Sequence, residues 1–281
     1  MDQFENISEQ DNTAEKLAAE TGECASLPSR NGSSRVSRLL RQASSCIRQG
    51  SYDDAIGFIK QAMEIRPNDP QCCMQLASAY RAQNKLGLAI GAMKKAVELD
   101  PGNSSIYEKL LQALVEMERY DEAITAGKKM LKQSPKSLYA RDVLSVAYLH
   151  KGKIDKAMQI TNELIRLAPA DPLHHFKKAV LLQQKGEIAL AMEVFARTLE
   201  MDPEGEMADD AREAIAALDS YQLRQILTLA IEDTVFRVKL ALDPESASRE
   251  RGFMLSSGGL MMLRQMDIDS LPQEAQNMYY H

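Results

Sequence analysis

The stretch of sequence that decides the fold is KGKIDKAMQITNELIRLAPADP, residues 151–172. It contains Gly152, Ala157 and, twelve residues after the alanine, Pro169. The alanine and the proline recur together along the chain at intervals of 34 residues. The alanines are Ala55, Ala89, Ala123, Ala157 and Ala191, and the prolines are Pro67, Pro101, Pro135, Pro169 and Pro203. A fixed period of this length indicates a tandem array of one small structural unit.

Other positions of the unit favour two helices joined by a tight turn. The alanine is small enough for the two helices to cross closely. The turn position holds Gly50, Asn84, Glu118, Gly152 and Gly186. Gly and Asn readily adopt the left-handed backbone found where a helix ends, so Glu118 alone departs from the rule. Two residues later an apolar side chain begins the second helix of every unit.

This pattern resembles the tetratricopeptide repeat family over about the central 170 residues. The predicted repeats, within residues 35–205, are 36–69, 70–103, 104–137, 138–171 and 172–205. The resemblance implies an all-α fold, a right-handed superhelix (α-solenoid) of antiparallel helix pairs. It also implies a concave groove, lined by the first helix of each pair, that receives a peptide or helix of a partner protein. Catalysis is not part of the family's own chemistry.

The groove positions that the family geometry implies are markedly apolar in repeats four and five. These positions hold Gln183 and the seven residues predicted to bind a partner, Tyr139, Asp142, Val146, Leu149, Leu173, Phe176 and Val180. An exposed apolar patch usually marks a partner site. We therefore expect a hydrophobic anchor of a partner to sit between Tyr139, Leu149 and Phe176. The alternative is that the protein's own tail covers the patch and that Phe176 belongs to the core.

The two ends of the chain differ from the repeats. Residues 1–34 are polar and predict a disordered tail. Residues 206–266 predict capping or recognition helices: an amphipathic helix over 207–218 and a longer apolar helix over 221–242. The apolar helix must be buried by the end of the solenoid, by the groove, by a second copy of the chain or by a partner. Residues 267–281 predict a loosely held tail.

A second resemblance lies in residues 233–263, which are similar to helical leader regions of ribosomally made, modified peptides, including nitrile-hydratase-like leaders. The residues that carry it are Phe236, Arg237, Leu240, Asp243, Pro244, Ala247, Gly252, Phe253, Leu255, Leu260 and Leu263. It implies a recognition module read by another protein. On physical grounds Asp243 and Pro244 end one helix and start another, Gly252 stops that helix, and Ser256 caps a last short one.

Composition and charge exclude several classes of function. A formal net charge of -6 disfavours a duplex nucleic-acid binder. The longest apolar runs are too short to cross a membrane, and the first twenty residues lack a signal-peptide pattern, so we expect a cytoplasmic protein. The four cysteines show no CxxC spacing, which favours reduced thiols. No metal-binding, cofactor-binding or catalytic motif is present, so we expect no metal, no cofactor and no enzymatic activity.

The sequence therefore predicts a non-catalytic scaffold that binds a protein or peptide in its concave groove. Two alternatives remain open. The chain is a self-assembling structural protein, a homodimer formed through the apolar helix 221–242, or it presents a leader-like recognition module on a repeat scaffold.

Overall fold

The computed structural model describes residues 30–268 and 270–271. This part of the chain contains fourteen α-helices and no strand. In chain order the helices are α1 (Arg30–Gln49), α2 (Tyr52–Ile65), α3 (Pro70–Ala82), α4 (Leu86–Leu99), α5 (Ser104–Glu116), α6 (Tyr120–Gln133), α7 (Leu138–His150), α8 (Ile154–Leu167), α9 (Pro172–Lys185), α10 (Ile188–Met201), α11 (Ala208–Glu232), α12 (Thr234–Leu242), α13 (Pro244–Glu250) and α14 (Ser257–Gln265). The predicted all-α class is confirmed.

Each predicted repeat contains one helix pair, from α1 and α2 in the first to α9 and α10 in the fifth. The two helices of every pair pack against each other. The five landmark alanines between them are at most 1% exposed. The five landmark prolines are exposed and begin the turn that follows the second helix. The repeat landmarks thus mark where helices cross and where they end.

The turn inside every pair has a residue with a left-handed backbone at the same position of the repeat. The φ angles are 80° at Gly50, 58° at Asn84, 55° at Glu118, 66° at Gly152 and 82° at Gly186. Glu118 therefore departs from the pattern in residue type but adopts the backbone of the other four. In all five turns the amide of the residue after the left-handed one donates to the carbonyl five residues before it, at 2.8 to 2.9 Å.

Contacts divide the chain into two compact units, Met1–Leu99 and Asp100–His281. In the first unit, α1 to α3 enclose an apolar cluster centred on Ala43, Ile59 and Cys72. The second unit has one cluster around repeat five and the start of α11, and another around the end of α11 and the helices that follow it.

The amino-terminal boundary differs from the prediction. Helix α1 begins at Arg30, so residues 30–34 are helical although they were assigned to a disordered tail. Val36 is only 2% exposed in the first cluster and fixes the turn of helix around it. Once that turn is formed, each added residue needs little further ordering, which allows the helix to extend upstream. The rest of the predicted tail, residues 1–29, lies outside the described residues.

The prediction for the carboxy-terminal helices was wrong in its boundaries. The sequence predicted separate helices over 207–218 and 221–242, whereas α11 is continuous from Ala208 to Glu232. The turn position of a sixth repeat would fall on Ser220, which has no special preference for a left-handed backbone. Its hydroxyl instead donates to the carbonyl of Ala216 inside the helix. The helix ends at Asp233, which caps α12 by accepting a hydrogen bond from the amide of Phe236 (2.9 Å).

The apolar segment 221–242 is buried mainly by the chain's own next helices. Leu223, Ile226, Phe236 and Leu240 pack with residues of α13 and α14, including Leu263. This small core holds residues 219–271 together as a module, which we call the carboxy-terminal module. The main cover of segment 221–242 is therefore the chain's own following helices, which is none of the four kinds of burial that the sequence left open.

The local predictions within this module are confirmed. Asp243 caps α13, and Pro244 occupies its first turn. Gly252 has a φ of 83° after that helix ends. Ser256 caps α14 by accepting from the amide of Gly259 (3.1 Å). The tail beyond Leu271 lies outside the described residues.

Candidate partner-binding site

The predicted groove residues of repeats four and five lie on α7 and α9, the first helices of these repeats. We call them the A-helix face: Tyr139, Asp142, Val146 and Leu149 on α7, and Leu173, Phe176 and Val180 on α9. Along each helix they recur at spacings of three or four residues. Such a spacing places side chains on one face of a helix.

The A-helix face is open to solvent in part. Tyr139 is 37% exposed, and the other six residues are half-buried. The neighbouring residues Val143, Leu144 and Ala147 of α7 are buried and form the opposite, core-facing side of the helix. The predicted division of α7 into a core side and an accessible side is therefore present.

Two polar contacts join the first helices of consecutive repeats. The Lys177 ammonium of α9 donates to the Asp142 carboxylate of α7. The Tyr139 hydroxyl donates to the backbone carbonyl of Glu108 on α5 (3.3 Å). Burial, and then the carboxylates of Glu108 and Asp142, raise the pKa of the Tyr139 phenol, so it stays neutral and can donate. The first helices of repeats three, four and five are thus connected side by side.

Phe176 has a second role in the core. Its ring packs edge-on against Phe195 of α10, with 5.4 Å between ring centroids. Phe176 and Val180 both pack on the apolar cluster of repeat five. Both side chains therefore pack in the core of repeat five as well as lying on the A-helix face. The apolar face residues that this cluster does not contain are Tyr139, Val146 and Leu149 on α7 and Leu173 on α9.

The described carboxy-terminal helices leave the α7 part of the face uncovered. The buried apolar side chains of 221–242 belong to the cluster of the carboxy-terminal module, and no residue of the A-helix face is part of that cluster. Residues at the start of α11, such as Ala211 and Leu218, join the cluster of repeat five, where Phe176 and Val180 pack. The start of α11 therefore covers the A-helix face only on its α9 side.

Comparison with known families identifies the repeats. Residues 114–181 match the tetratricopeptide repeat family. Residues 48–129 match a family described as anaphase-promoting complex, cyclosome, subunit 3. Together with the helix pairs and their landmarks, these matches show that the chain contains tetratricopeptide repeats. Comparison with curated proteins returns no match.

Solved structures share this fold. MamA from Desulfovibrio magneticus RS-1, from residue 41 to its end, is 19% identical with a TM-score of 0.52, over 61% of this chain and 97% of that chain. Another MamA structure is 22% identical with a TM-score of 0.53, over 60% and 93%. YrrB, described as a TPR protein with an unusual peptide-binding site, is 16% identical with a TM-score of 0.52, over 62% and 90%. At these identities the likeness concerns the fold.

Neither family match extends into residues 233–263, so the resemblance of that segment to peptide leader regions has no support. No helix of the described residues is long and apolar enough for a membrane crossing.

Proposed function

We propose that this protein is a non-catalytic scaffold that binds a segment of a partner protein on the A-helix face. The observation that carries the proposal is the group of partly accessible apolar side chains on α7, which includes Tyr139, Val146 and Leu149. YrrB, which shares the repeat fold, is described as having a peptide-binding site. That description supports a binding role for a face of the same fold.

The face suits a partner segment with an apolar side chain. Leu149 and Val146 stand one turn apart on α7 and offer apolar contact, while the Tyr139 ring, about two turns before Val146, can contact a further apolar side chain of the segment. Asp142 and Lys177 beside them can exchange hydrogen bonds with a peptide backbone at the edge of that contact. The partner is a protein or peptide, and the proposal involves no cofactor or metal.

Two variants on α7 test the proposal. Leu149→Glu places a charge in the apolar part of the face, and Tyr139→Ala removes the exposed ring. Phe176 is not a useful test position, because its ring packs on Phe195 and its loss would loosen repeat five. The control is Leu167→Glu, since Leu167 is 43% exposed at the end of α8, outside the face.

Co-purification of partners with each tagged full-length variant is the measurement, with circular dichroism to verify the fold. We expect Leu149→Glu and Tyr139→Ala to lose a partner that wild type and Leu167→Glu retain. If all four proteins co-purify with the same partners in equal amounts, the A-helix face is not the binding site.

A second candidate function is self-association through α12. Its Val235, Val238 and Leu242 follow one another at helical spacing and are 65%, 60% and 82% exposed. This stripe holds the three most exposed large apolar side chains of segment 221–242. A homodimer formed there would dissociate in a Val238→Glu, Leu242→Glu double variant. Equal sedimentation of wild type and the double variant would rule this candidate out.

A further inference from the structure

An open cleft lies between the second helices of repeats four and five. Helices α8 and α10 form its walls and α9 forms its floor, and the volume is about 1080 Å³. We call it the second-helix trough. Its apolar lining includes Met158 and Ile165 on α8, Leu182 on α9, and Leu190 and Val194 on α10. It shares no residue with the A-helix face.

The trough coincides with a change in the repeat at Lys178. The corresponding position of the three preceding repeats holds a leucine: Leu76, Leu110 and Leu144. Leu144 is 1% exposed and lies so close to Gly127 of the preceding helix that a Cβ there would be 3.0 Å from its Cγ. Because an ammonium loses hydration free energy when it is buried, Lys178 cannot fill the same space and is only half-buried.

The lining residues form helical stripes. On α8 they are Met158, Asn162 and Ile165, and on α10 they include Leu190, Val194, Arg197 and Met201. Spacings of three and four residues make each stripe two to three turns long, so the trough extends over roughly 10 to 16 Å. An amphipathic helix with the same apolar spacing packs into a groove of this kind.

The charges of the trough differ between floor and wall. Lys185 of the floor pairs with Glu187 (2.8 Å) and lies 3.7 Å from Asp155. Lys178 has no ion-pair partner among the described residues. On the α10 wall, Glu193 and Glu200 flank Arg197, so that wall carries two anions and one cation. Of the two lysines of the floor, Lys178 is therefore the one that has no ion pair in the described part of the chain.

We propose that the second-helix trough is a further docking site, for an amphipathic helix of a partner protein that carries a carboxylate next to its apolar stripe. Apolar side chains of that helix contact Leu190, which is 50% exposed, and Val194, and its carboxylate pairs with Lys178. The pairing compensates the hydration that the ammonium loses when the trough is filled, which makes this contact specific for an acidic residue. A basic residue at the same point would face Lys178 and be repelled.

The test uses fluorescein-labelled helical peptides of roughly 14 residues, about four turns. Three sets share one apolar stripe and carry Glu, Gln or Lys beside it. Fluorescence anisotropy with the full-length protein measures the affinity of each set. We expect the Glu peptides to bind at least about tenfold more tightly than the Lys peptides, as one charge-assisted contact predicts.

Variants of Lys178 assign the preference to the trough. Lys178→Glu should reverse the order of affinities, and Lys178→Leu, which restores the residue of the other repeats, should remove the difference between the sets while retaining the fold. The A-helix-face variant Leu149→Glu should bind the Glu peptides as wild type does. Equal affinity of the three sets, absence of binding, or a preference that persists in Lys178→Glu would overturn the proposal.

Discussion

At the scale of single residues, Glu118 shows how the repeat imposes its backbone on a residue that does not favour it. Its φ of 55° is the left-handed conformation of the other four turns. A side chain with a Cβ carries a steric cost there of roughly 1 kcal/mol. The helix that follows the turn is held in place, since the Tyr120 ring stacks on His150 of α7 with 4.6 Å between ring centroids and Ala123 is fully buried. The sequence identifies Glu118 as an exception in residue type. Only the backbone shows that the conformation of the turn is the same as in the other repeats.

Replacing Glu118 by glycine should stabilise the protein. Relief of the left-handed strain outweighs the greater backbone entropy of glycine in the unfolded chain, and we expect a gain of about 0.5 to 1 kcal/mol. Gly152→Ala is the opposite control. An added Cβ at Gly152 meets no atom within 4 Å, so a clash contributes nothing and any loss reflects the strain of the φ of 66°. Urea unfolding followed by circular dichroism gives both free energies, and a destabilised Glu118→Gly would contradict the account.

The cysteines should differ in reactivity. Burial raises the pKa of the Cys72 thiol to about 11, and burial also raises the pKa of Cys73. Cys46 is half-buried. The thiolate is the reactive form, so at pH 8 roughly one Cys72 in a thousand is reactive even before access is considered. Iodoacetamide labelling of the native protein, read by mass spectrometry, should modify Cys46 at least about tenfold faster than Cys72. Equal rates would show that the first repeat pair is loosely packed.

At the scale of elements, the end of α11 is a feature that the sequence did not predict. The repeat landmarks predicted ten helices because Ala and Pro have fixed local roles. Beyond Pro203 no landmark remains. Apolar residues continue on both sides of Asp233, so the pattern does not indicate that one helix ends there and the next begins. The module is also held by polar contacts that no local pattern reveals. Gln222, 2% exposed, exchanges two 2.8 Å hydrogen bonds with the backbone of Met254, which lies 32 residues further along the chain.

A pair of adjacent glycines tests this packing. Asp219 is 4% exposed and accepts from the amide of Ser256 (2.8 Å). A Cβ added at Gly259 would lie 2.5 Å from its Oδ1, whereas one at Gly258 would meet only the Ser256 hydroxyl at 3.5 Å. We expect Gly259→Ala to cost about 1 to 3 kcal/mol and Gly258→Ala to be neutral or slightly stabilising. The free energies of unfolding in urea decide the point, and equal values for the two variants would contradict it.

The cap at Asp233 should make the module sensitive to acid. The hydrogen bond from the Phe236 amide is the main cause that lowers the pKa of this carboxyl, and Arg251 lowers it further. The resulting stability is present above the unfolded pKa of about 3.9 and is lost as the pH falls through the lower folded pKa. Asp233→Asn retains a capping side chain without the charge. Wild type should exceed Asp233→Asn in unfolding free energy at pH 7, and the two should converge near pH 2. A constant difference would contradict this explanation.

At the scale of the whole molecule, the fold was more predictable than the site. Five buried alanines and five exposed prolines at a fixed period determine the helix pairs. The A-helix face follows from the same register, since residues at groove positions of α7 are accessible. The double role of Phe176 depends on Phe195 in another helix, and the trough depends on how Lys178 fits between two helices. Neither relation has a local signature in the sequence.

The central claim is that the α7 side of the A-helix face contacts a partner, and photo-cross-linking tests it most directly. The benzophenone amino acid p-benzoylphenylalanine is introduced in place of Tyr139, or in place of Tyr221 as the control. Both tyrosines are accessible, at 37% and 44%, but Tyr221 lies on α11 outside the face. The reaction is carried out in cells that express the full-length protein, and mass spectrometry identifies the adducts.

The account predicts a protein or peptide adduct from position 139 that position 221 does not give and that disappears in the Leu149→Glu background. Identical adducts from both positions, or an adduct at position 139 that persists with Leu149→Glu, would contradict it.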